Sequence, residues 1–247
     1  MYTLGLCSVS FRKNNPAEIL NIVRTSGLSV IEWGSDVHAN KDDLQMLARI
    51  ASAQEFLGIR CSSYGTYFRI GETPISELES YICAASVLGT NVLRVWCGNK
   101  NSQEYTDAER KKLLAECKEA ARIAEKYGAV LCTECHGGTY TNEKEAAIEM
   151  LREVSSPSFK TYWQPNQYKT VEENIKYAER VRMYVENVHV FNWSGKDKYP
   201  LADAVGTWKR YLDVLGKDKT LLLEFMPDGN IDSLDMEAKA LRQIAGV

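Results

Sequence analysis

The chain has 247 residues, of which about 45% are hydrophobic and 26% are charged, a composition typical of a folded globular protein with an extensive core. Thirty basic and 33 acidic residues give a formal net charge of −3, which excludes a broad basic surface of the kind that binds nucleic acid or an anionic membrane. We therefore expect a small-molecule partner, with no nucleic-acid and no membrane partner.

The N-terminal segment MYTLGLCSVSFRKNN has no basic lead followed by a long apolar run. No later segment approaches the roughly 18 apolar residues of a membrane span. We expect a cytoplasmic protein. The seven cysteines are scattered and odd in number, so we expect reduced residues of the core rather than a disulfide framework.

Eight short apolar segments are predicted to be buried strands, and five of them follow a glycine suited to end a helix. In chain order they are TLGLCSV (3–9), SGLSVIEWG (26–34), LGIRCSSYG (57–65), LGTNVLRVWCG (88–98), AVLCTEC (129–135), FKTYWQPNQ (159–167), ENVHVFNW (186–193) and GKDKTLLLEFM (216–226). Between them, two threonine–glutamate pairs have the spacing of a capping box, and two prolines suit the first turn of a helix. These are Thr106 with Glu109, Thr170 with Glu173, Pro16 and Pro74.

Eight strand–helix repeats in a chain of this length predict an α/β fold, a (β/α)₈ TIM barrel formed by residues 1–247 as a single domain. A doubly wound open sheet is the competing fold. It usually has fewer strands and a glycine-rich phosphate loop after the first one, whereas SVSFRKNN at that place contains no glycine.

The fifth predicted strand runs into CTECHGG (132–138), which matches the C-x-x-C-H pattern of haem attachment. Side chains alternate along a strand, so Cys132, Glu134 and His136 are expected on one face and Cys135 on the other. The two cysteines therefore diverge, and the match is interpreted as a coincidence. Glu134, at the carboxyl end of the strand, is the residue of interest.

Polar side chains collect at the carboxyl ends of the predicted strands, where barrel enzymes place their chemistry. They are Glu32 and His38 for the second strand, Arg94 and Trp96 for the fourth, Glu134 and His136 for the fifth, Gln164 and Gln167 for the sixth, His189 and Asn192 for the seventh, and Glu224 for the eighth. Each has a structural alternative: Arg94 could pair with Glu32 inside the barrel, and His38 could cap a helix. A carboxylate in an apolar strand, such as Glu224, is costly to bury without a partner, so the cluster is interpreted as a site.

Three of these residues suit a metal ion. Glu134, His189 and Glu224 are expected to converge near the barrel axis and to offer two carboxylates and an imidazole. That set suits a divalent cation such as Mn²⁺, Mg²⁺, Co²⁺ or Zn²⁺. The carbonyl oxygen of Gln164 offers a fourth, neutral ligand.

The order of these motifs resembles that of the xylose-isomerase-like barrel superfamily of sugar isomerases and epimerases, over nearly the whole chain. The motifs are GLSVIEWGSDVH, LRVWCG, TECHGGTYT, YWQPNQ, NVHVFNW and LLLEFM. The resemblance implies a metal held by Glu134, His189 and Glu224, with Gln164 where the family usually has an aspartate and Gln167 where epimerases have a substrate-binding histidine. The lost negative charge puts metal dependence in question. Endonuclease IV, related in fold, uses a histidine-rich zinc cluster, for which three histidines are too few.

The resemblance also implies an activity, namely isomerisation or epimerisation of a sugar, sugar phosphate or sugar acid. Glu134 and Glu224 would act as acid and base in a metal-assisted proton transfer through an enediolate. Substrate-binding roles are expected at the remaining strand ends, and Arg12, Arg69 and Arg94 would favour an anionic substrate if they line the mouth. The expected substrate-binding residues are Glu32, His38, Arg94, Trp96, His136, Gln167 and Asn192.

Two other functions stay open from the sequence. One is a lyase that dehydrates a polyol such as inosose, and the other is a carbohydrate-binding barrel without catalysis, in which Gln164 marks a lost activity. The particular sugar and the metal are not readable from the sequence, and a homo-oligomer is possible. Fold alone does not decide among these functions, because barrels support many chemistries.

Overall fold

The eight apolar segments form parallel strands that close into one ring in the computed structural model, which describes residues 1–247. The barrel strands are β1 (Thr3–Cys7), β2 (Val30–Gly34), β3 (Arg60–Ile70), β4 (Val92–Cys97), β5 (Val130–Thr133), β6 (Phe159–Trp163), β7 (Val185–Val190) and β10 (Thr220–Leu223). The remaining strands, β8 (Trp193–Ser194) and β9 (Asp197–Lys198), form a small antiparallel hairpin. β10 pairs with both β7 and β1, which closes the ring and confirms the predicted TIM barrel.

Eight helices surround the barrel: α1 (Pro16–Thr25), α2 (Leu44–Phe56), α3 (Leu78–Val87), α4 (Asp107–Lys126), α5 (Lys144–Val154), α6 (Val171–Val181), α7 (Val205–Leu215) and α8 (Leu234–Ala245). Both threonine capping boxes form, and Pro16 occupies the first turn of α1, as predicted. Pro74 instead precedes a short 3₁₀ helix, and α3 begins only at Leu78. None of the helices combines the length and the apolar character that crossing a membrane requires.

Two apolar clusters fill the molecule. The larger one packs the helices against the outside of the barrel, and a smaller one fills the barrel interior. Cys132 belongs to the interior cluster, whereas Cys135 lies against Tyr177 of α6, with 3.2 Å between its sulfur and the phenol oxygen. The predicted divergence of the two cysteines is confirmed, and all seven cysteines are free thiols.

The capping box of α4 is expected to make a measurable contribution to stability. Thr106 Oγ1 accepts a hydrogen bond from the backbone N–H of Glu109, and the Glu109 carboxylate accepts one from the N–H of Thr106 at 2.8 Å. Replacing such a cap by alanine typically costs about 1 kcal/mol. We therefore expect Thr106→Ala to lower the free energy of unfolding in urea by about that amount. Lys111→Ala, on the exposed face of the same helix, should change it by a few tenths at most.

Candidate active site

A cavity of about 710 Å³ opens at the carboxyl ends of the barrel strands. Its floor includes Arg94, Glu134, Gln164 and Glu224, which come from β4 and from the segments that follow β5, β6 and β10. This volume lies in the range of sites that bind small molecules. Its position at the carboxyl ends of the strands is also where barrel enzymes carry their active sites.

Oxygen atoms from three strand ends converge on one nitrogen of His189. Its Nδ1 lies 2.9 Å from Gln164 Oε1, 3.3 Å from Glu224 Oε2 and 3.7 Å from Glu134 Oε1. The imidazole itself is fully buried on β7. The structure therefore brings together Glu134, Gln164, His189 and Glu224, which we call the ligand cluster.

The ligand cluster has the donor atoms that a divalent cation needs. Neither Glu134 Oε1 nor the Glu224 carboxylate accepts a hydrogen bond from any other side chain, so both are free to bind a cation. Three oxygens and one imidazole nitrogen suit Mn²⁺, Co²⁺ or Zn²⁺, and Mg²⁺ less well because of the nitrogen. The residues present therefore fit a divalent metal, with Gln164 as a neutral oxygen donor.

Cys7, His189 and Glu224 form an alternative metal-binding group, with ligand atoms within 4.8 Å of one another. Burial raises the pKa of the Cys7 thiol to about 12. This group shares His189 and Glu224 with the ligand cluster and offers three ligand atoms, one fewer than the four of the ligand cluster.

The missing carboxylate of the ligand cluster leads to a prediction. Gln164→Asp adds one negative charge beside the cation, and unit charges about 4 Å apart at an effective dielectric constant of 20 attract by about 4 kcal/mol. After the cost of placing another carboxylate near Glu134 and Glu224, we expect Mn²⁺ to bind at least about tenfold more tightly in competition titrations. Gln167→Glu adds the same charge elsewhere in the cavity and should change the affinity less.

The buried Arg94 connects Glu32 with Glu134 of the ligand cluster. Arg94 Nε donates to Glu32 Oε1 at 3.0 Å, and Arg94 Nη1 donates to Glu134 Oε2 at 2.6 Å. Trp96 Nε1 also donates to Glu134 Oε2, at 3.1 Å. Burial raises the pKa of Glu134, but Arg94 and His189 lower it more, so the net shift is downward. Glu134 is thus held as a carboxylate, with only Oε1 free.

Glu32 lies below the cavity and not in its wall. Its side chain is almost completely buried, and Oε2 accepts hydrogen bonds from Ser63 at 3.0 Å and from Tyr162 at 2.8 Å. Burial raises the pKa of Glu32, but Arg94, His189 and Tyr162 together outweigh burial and bring the pKa to about 2. Gly65 leaves room for this pair, because a Cβ there would lie 2.8 Å from both Glu32 Oε1 and Arg94 Nη2.

The depressed pKa of Glu32 predicts a loss of stability in acid. A carboxyl group whose pKa is lower in the folded than in the unfolded state stabilises the fold above the unfolded value, here about 4.5, and this contribution is lost as pH falls through the folded value, about 2. The difference corresponds to roughly 3 kcal/mol. We expect the free energy of unfolding in urea to fall between pH 4.5 and 2.5, and to fall less steeply in Glu32→Gln. A Glu55→Gln control, at an exposed position of α2, leaves Glu32 and its contacts in place and should keep the steeper slope.

His189 itself has a perturbed pKa. Burial lowers the pKa of the imidazole, but the neighbouring carboxylates of Glu224 and Glu134 raise it, and the net value lies well above the ordinary one. Nδ1 lies 2.9 Å from Gln164 Oε1, which can only accept a hydrogen bond, so this nitrogen carries a proton when no cation faces it. A metal ion must displace this proton, so metal binding is expected to release it and to weaken at lower pH.

Aromatic side chains form two walls on opposite sides of the cavity. On the side of β4 and β5, Trp96 and His136 stack with ring centroids 5.0 Å apart. On the side of β7 and β10, Trp193 lies between Phe191 and Phe225, with centroids 4.6 and 5.7 Å away. Aromatic faces of this kind pack against the apolar face of a sugar ring.

Phe225, which follows Glu224, has a left-handed backbone with φ of 56°. Such a conformation costs of order 1 kcal/mol for a residue other than glycine and persists only where its surroundings hold it. Here the backbone N–H of Phe225 donates to Ser10 Oγ at 2.8 Å. This contact fixes the segment that aims Glu224 into the cavity.

The other predicted substrate-binding residues divide into two groups. Arg94, Trp96, His136 and Gln167 line the cavity. His38 does not, because its ring nitrogens contact Ser8 Oγ and the carbonyl of Asn14 and join the loops after β1 and β2.

Asn192 also lies outside the wall, because it donates to the carbonyl of Pro200 at the base of the β8–β9 hairpin. The arginines expected at the mouth are all engaged. Arg12 pairs with Asp36, and Arg69 donates to the carbonyls of Gly98 and Gly138. Of these two, only Arg12 lines the cavity.

Sequence reasoning missed several residues of the site. Ser63 and Tyr162, which donate hydrogen bonds to Glu32, lie inside apolar strands. The only sign in the sequence is that side-chain alternation directs both Tyr162 and Glu32 into the barrel. Phe225 and Ser10 carry no signal in the sequence, since the left-handed backbone falls on a phenylalanine. The β8–β9 hairpin is too short to produce an alternating pattern.

Comparison with known proteins gives a consistent result. A family model for the xylose isomerase-like TIM barrel matches residues 20–195. A 3-dehydroshikimate dehydratase of Bacillus anthracis is 21% identical over 205 residues, which cover 78% of this chain and 72% of the relative.

Solved structures share the fold at low sequence identity. The crystal structure of AsbF from Bacillus anthracis, named there as the probable 3-DHS dehydratase of petrobactin synthesis, superposes with a TM-score of 0.83 at 18% identity over 98% of both chains. D-Psicose 3-epimerase of Clostridium cellulolyticum H10 superposes with a TM-score of 0.74 at 12% identity over 99% of both chains.

Proposed function

The chain belongs to the xylose isomerase-like TIM barrel family, and from this premise we propose that it is a carbohydrate isomerase or epimerase that moves a proton on a carbon next to a carbonyl group. One observation carries the proposal: three side-chain oxygens converge on Nδ1 of the buried His189, at the floor of a cavity with aromatic walls. The ligand cluster would hold a divalent cation there.

Such a cation, when bound, polarises the carbonyl oxygen and so acidifies the neighbouring C–H bond. The protein supplies the group that takes the proton. Glu134 is paired with Arg94, which makes it a weaker base, whereas Glu224 has no arginine or lysine partner. This difference favours Glu224 as the base, with Glu134 returning the proton where epimerisation requires a second face.

The cavity also supports a carbohydrate as the substrate. The two aromatic walls suit the apolar faces of a sugar ring, and Gln167 and His136 offer hydrogen-bonding groups to hydroxyls. The nearby arginines are paired with carboxylates or carbonyls, whereas Lys144 and Lys169 line the cavity without an ion-pair partner, so the cavity suits a neutral sugar and also offers positive charge to an anionic one. The proposed partner is therefore a small carbohydrate.

A dehydratase is the second candidate, and two observations favour it. The curated relative that matches most of the chain is a 3-dehydroshikimate dehydratase. In addition, His136 lines the cavity with one ring nitrogen bonded only to the carbonyl of Gly137, at 2.7 Å. An imidazole at this place would offer a proton donor to the departing hydroxyl group, which must gain a proton to leave as water, while a glutamate takes the C–H proton.

Reaction in D₂O distinguishes the candidates. The protein, loaded with Mn²⁺ for mass spectrometry or Mg²⁺ for NMR, is incubated with ketoses, sugar phosphates, inososes and 3-dehydroshikimate. An isomerase or epimerase incorporates deuterium next to the carbonyl and eliminates no water. A dehydratase yields a product that is lighter by one water. Binding of sugars without exchange or mass loss across the panel would contradict both proposals and favour a carbohydrate-binding role.

A further inference from the structure

The imidazole of His189 has one nitrogen without a partner. Nδ1 faces the oxygens of the ligand cluster, whereas Nε2 is fully buried and takes part in no hydrogen bond. The nearest carboxylate to it is Glu32, whose Oε1 lies 3.8 Å away. A buried N–H without a partner is costly, which indicates that Nε2 has a hydrogen-bond acceptor in the functional state of the protein.

Metal-binding histidines usually donate their second ring N–H to a carboxylate or a carbonyl. That contact fixes the tautomer and the ring orientation, and its loss typically costs 10- to 100-fold in metal affinity. In this barrel, β2 and β7 are not neighbours, and Glu32 approaches His189 across the barrel interior, outside the lining of the cavity. The arrangement thus contains a carboxylate on the Nε2 side and the ligand cluster on the Nδ1 side.

We propose that Glu32 is a positioning residue that orients His189 for metal binding by accepting its Nε2–H, and does not contact substrate. This inference rests on the metal centre of the proposed function, and it replaces the expectation that Glu32 binds a sugar hydroxyl. The two atoms are 3.8 Å apart, so a small rotation of the imidazole would bring Nε2 within hydrogen-bond length of Glu32 Oε1.

The surroundings of Glu32 suit this role. Ser63 and Tyr162 donate hydrogen bonds to Oε2 of Glu32, and Asn187 in turn donates to the Tyr162 hydroxyl at 2.9 Å. These contacts fix the orientation of the Glu32 carboxylate. Oε1 is left to Arg94 and to His189. Because Arg94 also binds Glu134, Glu32 supports two members of the ligand cluster at once.

Metal affinity provides the first test. Stripped wild type, Glu32→Gln, Glu32→Asp and Tyr162→Phe are titrated with Co²⁺ and Zn²⁺ against a chelating indicator. We expect Glu32→Gln to bind about 10- to 100-fold more weakly, Glu32→Asp to recover part of that loss, and Tyr162→Phe to stay within a few-fold of wild type. Equal affinities for folded wild type and Glu32→Gln would overturn the inference and leave the metal centre intact, whereas no binding by wild type would overturn both.

The tautomer of His189 provides a second test that does not depend on a variant folding. Long-range ¹H–¹⁵N correlation spectra of the Zn²⁺-loaded wild type report which nitrogen carries the proton, and the chain has only three histidines to assign. We expect a proton on Nε2 of His189, shifted downfield by its carboxylate partner. A proton on Nδ1, with the metal on Nε2, would overturn the inference.

Discussion

Glu224→Gln is expected to abolish exchange of the substrate proton with solvent. The variant keeps the shape of the side chain and removes the carboxylate that is free of arginine or lysine partners at the floor of the cavity. General base catalysis contributes roughly 10²- to 10⁴-fold, and the same residue is a proposed metal ligand, so we expect a loss of at least about 10³-fold in kcat/KM. The measurement is deuterium incorporation by NMR on the substrate that the panel in D₂O identifies.

Matched variants separate this effect from a general loss of charge. Glu55→Gln, an exposed change on α2, should leave exchange unaltered. Glu134→Gln should also be strongly impaired, but with a contribution from the disturbed Arg94. Wild-type exchange rates in folded Glu224→Gln would show that this residue is not the base and would contradict the assignment.

Arg94→Met is expected to destabilise the protein by about 3 to 5 kcal/mol, because it leaves the carboxylates of Glu32 and Glu134 buried without their cation. Methionine has nearly the volume of arginine, so the loss of stability comes from the lost charge and not from a cavity. Without Arg94, burial raises the pKa values of the two carboxyl groups, and they bind protons at low pH, which removes the cost of a buried charge. The loss should therefore be larger at pH 8 than at pH 5.

The pH dependence distinguishes this account from simple repacking of the core. Urea unfolding at both pH values is compared with Arg210→Met, in which an exposed arginine paired with Glu172 is removed. Exposed ion pairs contribute about 0 to 1 kcal/mol, so this control should lose little stability. A small, pH-independent loss in Arg94→Met would contradict the view that Arg94 neutralises the floor of the site.

The fold was accessible from the sequence because each element carries its own local signal. Helix-ending glycines precede buried strands, and threonine–glutamate pairs begin helices, so the order of elements alone leads to a barrel. Side-chain alternation then places Glu134 and Cys135 on opposite faces, as the structure shows for the cysteines. Convergence of the ligand cluster follows from barrel closure, since strand ends that are far apart in the chain meet at one rim.

The roles that could not be predicted from the sequence depend on loop conformation and on how deep a side chain lies in the barrel. His38 and Asn192 lie beyond strand ends, as the site residues do, but local turns direct them to Ser8 and Pro200. For Arg94 and Glu32 the sequence left two roles open, and only depth in the barrel distinguishes an ion pair from a substrate contact. The choice between isomerase and dehydratase depends on where a hydroxyl lies relative to His136, which loop geometry decides.

Metal content is the most direct test of the ligand cluster, on which the proposed function depends. The protein is purified without chelator, its bound metals are quantified, and stripped wild type and Glu224→Gln are titrated with Mn²⁺, Mg²⁺, Co²⁺ and Zn²⁺. We predict close to one tightly bound divalent ion per chain in wild type and a marked loss of affinity in the variant. Failure of wild type to bind any of the four ions, or equal binding by folded Glu224→Gln, would contradict a metal centre formed by Glu134, Gln164, His189 and Glu224.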